Sequence, residues 1–100
     1  MEKIVEIKLI SEIISYDSIG VPVKTTSETA VIGNFESVSS QEFFRAGETG
    51  LKPEMVLKVW ASEYSGQKIL SVGGKPFSIY RTYQNDDGRV ELYCSKDVGI

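Results

Sequence analysis

Histidine is missing from this 100-residue sequence, and cysteine occurs once, as Cys94. No intramolecular disulfide is possible. The usual zinc sites, which need several Cys and His ligands, are excluded, as are Cys-His and Ser-His nucleophile systems. Proline is scarce, at three residues. Basic residues are outnumbered: Lys and Arg total 11 against 14 Asp and Glu, for a net charge of -3 and a pI near 4.9. Tight, generic nucleic-acid binding needs clustered cations to neutralise phosphates, so this balance argues against it. A role beside DNA that does not depend on gripping phosphates stays open. No apolar run approaches the roughly 18 residues of a membrane span, and Met1-Glu2-Lys3 leads straight into a strand pattern without an apolar signal region. These features predict a soluble, cytosol-made protein with no metal, no cofactor and no membrane partner.

What is present reads as one small β-rich domain over residues 1–100. Val5, Ile7, Leu9 and Ile13 alternate with Glu6, Lys8 and Glu12, which is the period of a half-buried strand. Tyr16–Ser27, punctuated by Asp17, Gly20 and Pro22, reads as a loop or wide hairpin connection. Glu28–Val38 returns to strand character, with Gly33-Asn34 expected to mark a bulge or bend. Ser39 stands three residues before Glu42, the spacing of a capping box, so a helix of about two turns should follow and end near Gly47 or Gly50. Met55–Ala61 is apolar on both faces, as a central or two-sided buried strand would be, and Trp60, like Tyr80 further on, is expected in the core or on a tightly packed strand face. Lys68–Val72, Phe77–Tyr83 and Arg89–Ser95 complete the strands, with turns at Gly73-Gly74 and Asn85–Gly88. Lys96–Ile100 is expected to fray. About six antiparallel strands and one short inserted helix predict a small β-barrel or sandwich.

Candidate chemical motifs are few. Gly73-Gly74-Lys75 lacks the upstream glycine and following Ser or Thr of a phosphate loop, and reads as a hairpin turn. Asp86-Asp87 lies in a turn, where Asp caps backbone N–H groups, and lacks the oxygen-rich spacing of a calcium loop. Cys94, in alternation with Val90 and Leu92, reads as a core thiol. Tyr80-Arg81-Thr82-Tyr83 is either an aromatic strand of the core or an OB-like surface on which single-stranded nucleic acid stacks. Phe43-Phe44 cannot both pack inward from so short a helix, so one is a candidate partner anchor. Arg45–Glu54, rich in Gly and charge, reads as a mobile segment. Arg45, Glu48 and Lys52 within it, with Phe43 just before it, are the candidate interface or channel-loop residues, against the alternative of an ordinary connection. No catalytic constellation is found.

In order along the chain stand Asp17 with Gly20, Ser37-Val38-Ser39, Glu42-Phe43 with Ala46, Gly50-Leu51-Lys52-Pro53, Glu63-Tyr64-Ser65-Gly66, Gly74-Lys75-Pro76-Phe77, Ile79–Tyr83 and Glu91-Leu92-Tyr93. Together these landmarks, covering Tyr16–Ser95, resemble the head-tail joining (head-closure or stopper) family of long-tailed bacteriophages and prophages. Ile79–Tyr83 and Glu91-Leu92-Tyr93 weigh most. Phe77, where relatives often carry tyrosine, and the acidic balance depart from the pattern. The resemblance implies a non-enzymatic structural protein, a small β-barrel with a short helix. It implies copies in a ring below the portal and adaptor, closing the DNA exit channel and offering a docking surface to tail terminator or tail proteins. Packaged DNA would pass without sequence readout. The implied location is the virion head–tail interface, reached through the host cytoplasm during assembly. The alternative reading is an OB-like nucleic-acid-binding barrel.

Overall fold

The computed structural model describes residues 3–96. Six strands run in chain order: β1 (Lys3–Tyr16), β2 (Pro22–Glu36), β3 (Pro53–Trp60), β4 (Ile69–Val72), β5 (Lys75–Gln84) and β6 (Arg89–Ser95). One helix, α1 (Ser40–Gly47), lies between β2 and β3, and a 3-10 turn, Ala61–Glu63, follows β3. All strand pairs are antiparallel, and the sheet closes as a barrel in the order β1-β2-β3-β6-β5-β4. This is the expected architecture, and between barrel and sandwich it is the barrel.

Alternation explains the core. Ile7 and Leu9 from β1, Val31 from β2, Met55, Leu57 and Val59 from β3, Leu70 from β4, and Val90, Leu92 and Cys94 from β6 form one buried cluster. Burying each large aliphatic side chain contributes about 1.5–3 kcal/mol, and closure removes the sheet edges wherever strands pair on both sides. Cys94 is fully buried, and burial pushes its thiol pKa up to about 12, as befits a core thiol. Gly73 and Gly74 both take positive φ, 59° and 80°, and join β4 to β5 in the expected tight turn.

Four expectations need correction. Tyr16–Ser27 is not a loop: β2 begins at Pro22, and Tyr16 pairs with Pro22, so the connection is only residues 17–21. Asp17 closes it, its Oδ1 accepting from the N–H of Ile19 and of Val21. Gly33 marks no bulge but a close approach. It lies in register opposite Val5, and a Cβ there would sit 2.7 Å from Ile7 Cδ1 and 2.8 Å from both Lys58 O and Val59 Cγ1. Trp60 is not in the core, being 48% exposed. The inward phase of β3 belongs to Met55, Leu57 and Val59, so Trp60 points outward, with the Arg89 guanidinium 4.6 Å over its ring. Arg45–Glu54 is less irregular than its composition implied. Arg45 belongs to α1, Pro53 and Glu54 to β3, and residues 48–51 turn back on the helix. There the N–H groups of Thr49 and Leu51 both donate to Ala46 O, and Thr49 Oγ1 donates to the same carbonyl at 2.8 Å. The frayed tail expected over Lys96–Ile100 lies, beyond Lys96, outside the described residues.

Two substitutions check this packing. Gly33→Ala should destabilise the barrel by about 1–3 kcal/mol, because backbone and core atoms must move to admit the methyl. Trp60→Ala should cost only about 1 kcal/mol, the scale of an exposed cation–π contact plus partial burial. Thermal denaturation of both variants measures the contrast. A larger loss for Trp60→Ala would return Trp60 to the core.

Candidate functional site: a polar latch between the helix and the barrel

The helix starts where the spacing predicted, but only the Ser39 half of the expected capping box is built, because the Glu42 carboxylate is turned to Tyr80 and Arg81 instead of back to the Ser39 N–H. Ser39, extended at φ -70° and ψ 155°, caps α1 by accepting from the Glu42 N–H at 3.2 Å. That fixes Glu42 in the first turn, where a carboxylate also meets the positive end of the helix dipole. The helix packs on β3, and Ala46 of α1 and Val56 on β3 are both buried outside the main core. Leaving only small apolar contacts, this arrangement gives the rest of the attachment to polar groups.

Those groups come from a bulge. The β5–β6 register runs Ile79 opposite Cys94, then Arg81 opposite Tyr93, so Tyr80 is an extra residue. A bulge sets two residues of one strand against one of its partner and re-aims their side chains. In a regular strand Tyr80 and Arg81 would point to opposite faces. Here both reach Glu42: Tyr80 Oη donates to Oε2 at 2.9 Å, and Arg81 Nη2 donates to Oε1 at 2.6 Å. Arg45, one turn along α1, adds a looser ion pair at 3.7 Å. The Arg81 guanidinium lies 3.9 Å from the centre of the Tyr93 ring, and Tyr93 Oη donates to Glu91 Oε1 at 2.7 Å. Arg81 Nε is buried without a hydrogen-bond partner, the one incompletely satisfied point of the cluster.

The electrostatics follow from this geometry. Burial raises the pKa of Glu42, but hydrogen bonds from Arg81 and Tyr80 and the charges of Arg81 and Arg45 outweigh it, so the carboxyl sits below its ordinary value. Tyr80 is pushed up, first by burial and then by its bond to Glu42 and that carboxylate's charge. Burial lowers the Arg81 pKa, yet Glu42 more than restores it. Tyr93 rises through burial and its bond to Glu91. Glu42 is thus an ionised carboxylate with both oxygens occupied, and the neighbouring phenols hold their protons. The cluster is suited to fastening α1, not to moving protons.

The latch sets what α1 presents. Phe43 and Phe44 are 53% and 71% exposed and touch each other edge to face at 5.9 Å, so neither packs inward. Arg45, Glu48 and Lys52 are also exposed, and the structure gathers these candidate interface residues around one helix and its C-terminal turn. It does not join them to the aromatic-basic stretch as an open stacking surface, since Tyr80 and Arg81 are spent on Glu42. Sequence reading identified Glu42 as a cap, but missed it as an ion-pair partner. The available signal was the phase break in β5, where the alternation of Phe77 and Ile79 places a charged residue, Arg81, at the next inward position.

The chain matches no protein-family model and no curated protein.

Because the folded-state pKa of Glu42 is depressed, the latch contributes stability that is complete above the unfolded carboxylate pKa of about 4.3 and lost as pH falls through the folded value. Glu42→Gln should destabilise the protein by about 2–3 kcal/mol at neutral pH, the scale of hydrogen bonds to charged groups. It should also flatten the fall of melting temperature below about pH 4.5. Melting curves of both proteins from pH 3 to pH 8 check it; parallel profiles would show that Glu42 is not held ionised by Arg81.

Proposed function

We propose that this chain is a structural head-closure protein of a long-tailed bacteriophage or prophage. In this reading it forms a ring below the portal and adaptor, closes the DNA exit channel and offers the tail its docking surface. The observation that carries the reading is the latch. Glu42, Tyr80, Arg81, Glu91 and Tyr93 come from three separate stretches of the sequence, and each is a stretch on which the resemblance rests. They meet to hold one short helix against a small closed barrel, the architecture that the resemblance implies. The exposed Phe43-Phe44 pair on that helix supports a role in contacts with other proteins, since aromatics are favoured anchors at interfaces. The acidic balance supports a channel wall that does not grip DNA. Catalysis has no part in this reading, because the polar cluster is committed to internal bonds.

The OB-like alternative draws on the barrel itself and on Tyr83, an aromatic 57% exposed on β5. The two readings differ in salt dependence: a single-strand binder loses affinity steeply as salt rises, whereas a connector has no such affinity to lose.

Deleting the gene from the phage or prophage that carries it should give filled capsids without tails that leak their DNA. Phe43→Glu/Phe44→Glu supplied in trans should fail to restore tailed particles, although the purified variant melts as the parent does. Electron microscopy of lysates gives the answer. Normally tailed, infectious particles after deletion would contradict the reading.

A further inference from the structure

The β1–β2 hairpin is longer than the barrel it enters. β1 pairs with β4 only from Lys8 to Ile10, and β2 pairs with β3 only from Asn34 to Glu36, while β1 and β2 pair with each other from Lys3–Phe35 to Tyr16–Pro22. Residues 11–28 therefore leave the barrel as a two-stranded arm, and all but Ser11 are exposed. The arm helps stretch the molecule to 51 Å, against 29 Å and 26 Å across. Among the described residues, β1 from Ser11 to Tyr16 and β2 from Pro22 to Glu28 have no second neighbouring strand.

Such an arm is physically incomplete. A two-stranded hairpin is marginal in water, and its outer edges carry backbone donors and acceptors that invite another strand. The arm also exposes Ile13, Ile14, Tyr16, Ile19, Val21 and Val23. Its charges do not guard the edges by repulsion, because Lys24 pairs with Glu12 at 3.2 Å across the ribbon. The roots of both edges are open. A groove of about 430 Å³ that includes Ala30, Ile32 and Trp60 lies where β2 parts from β3, and one of about 360 Å³ that includes Ile10, Glu12 and Ile69 lies where β1 parts from β4.

We infer that the arm's occupant is the arm of a second copy of this chain, with the β1 edge of one copy zipped onto the β2 edge of the next. When two arms point the same way, β2 of one and β1 of the next run antiparallel, as they do within each arm. The intramolecular register can then repeat between copies, setting Glu12 of one chain against Thr26 of the next and within reach of its Lys24. Pairing β1 with β1 would bring together edges whose only charge is Glu12. Pro22 lacks an N–H and sets the outer limit of the ladder. Joining unlike edges is a heterologous contact, which leaves a free β1 and a free β2 edge at the ends until rotation closes a ring. The inference deepens the ring reading by naming its self-contact, and it rests on that reading for the assembly in which the contact is used.

Mixing two singly substituted full-length chains tests it. Glu12→Cys and Thr26→Cys lie outside the barrel, and circular dichroism and melting verify that each chain still folds. Treated with a short thiol-to-thiol cross-linker at high protein concentration, the mixture should give a covalent mixed dimer in several-fold excess over the dimers of either chain alone. The unsubstituted chain, whose Cys94 is buried, is the blank. Equal or greater yields of like-with-like dimers, or no dimer beyond the blank, would overturn the inference. Absent mixed dimers alongside tail-less particles after gene deletion would remove this contact and leave the connector reading standing. Mixed dimers alongside normal tailing would do the reverse.

Discussion

The attachment of α1 depends on a single carboxylate. Glu42 is held by its own helix cap on one side and by two donors from a bulged strand on the other. An eight-residue helix cannot persist in water by its own hydrogen bonds, so its position must come from tertiary contacts. The apolar contribution is small, because Ala46 is its only buried apolar residue and both phenylalanines point away. The ion pair is half-buried, so its desolvation cost is real, and what repays that cost is geometry: two charge-assisted or strong hydrogen bonds plus a stacked tyrosine. The bulge is what makes that geometry available. A strand without the extra residue at Tyr80 would offer Glu42 either the phenol or the guanidinium, not both.

From this follows a division of labour. Closure of the barrel and the aliphatic cluster supply stability, and they leave little on the surface that is chemically poised. The latch supplies placement, carrying an aromatic pair into solvent on a fixed support. The β1–β2 arm supplies reach, extending the same two strands that close one side of the barrel. Core, helix and arm are thus separable in energy, and a substitution in one should leave the other two largely intact.

The legible part of this structure was the part with one buried face. β1 up to Ile10, β4 and β6 show apolar alternation because one side meets the core; β3 was legible as a strand but is apolar on both faces, Val56 being buried on the side away from the core cluster. The helix start was legible because Ser39 and Glu42 have the local spacing of a cap. In the arm, the β1 side was legible as strand, although Ile13 is exposed and not on a buried face. The β2 side was not, for a physical reason: Thr25 and Thr26 are good strand residues, but with water on both faces nothing forces polar and apolar residues to alternate, so the segment resembled a loop. Trp60 was misplaced because a run apolar on both faces hides its phase; Lys58, on the same outward face, was the clue. Gly33 signalled a special backbone position, but sequence does not distinguish a bulge from a neighbour pressed close. The meeting of Glu42 with Tyr80 and Arg81, some forty residues on, depends on the bulge, and no local pattern reports it beyond the phase break in β5.

A double-mutant cycle of Glu42→Gln and Arg81→Met, read by global stability and by amide exchange of α1, tests the latch most directly. If the latch places the helix, the two residues should couple by about 2 kcal/mol, and either single substitution should strip protection from Phe43–Gly47 while β3 and β6 exchange as before. Effects that add to within about 0.5 kcal/mol, with the helix equally protected in all four proteins, would contradict the account.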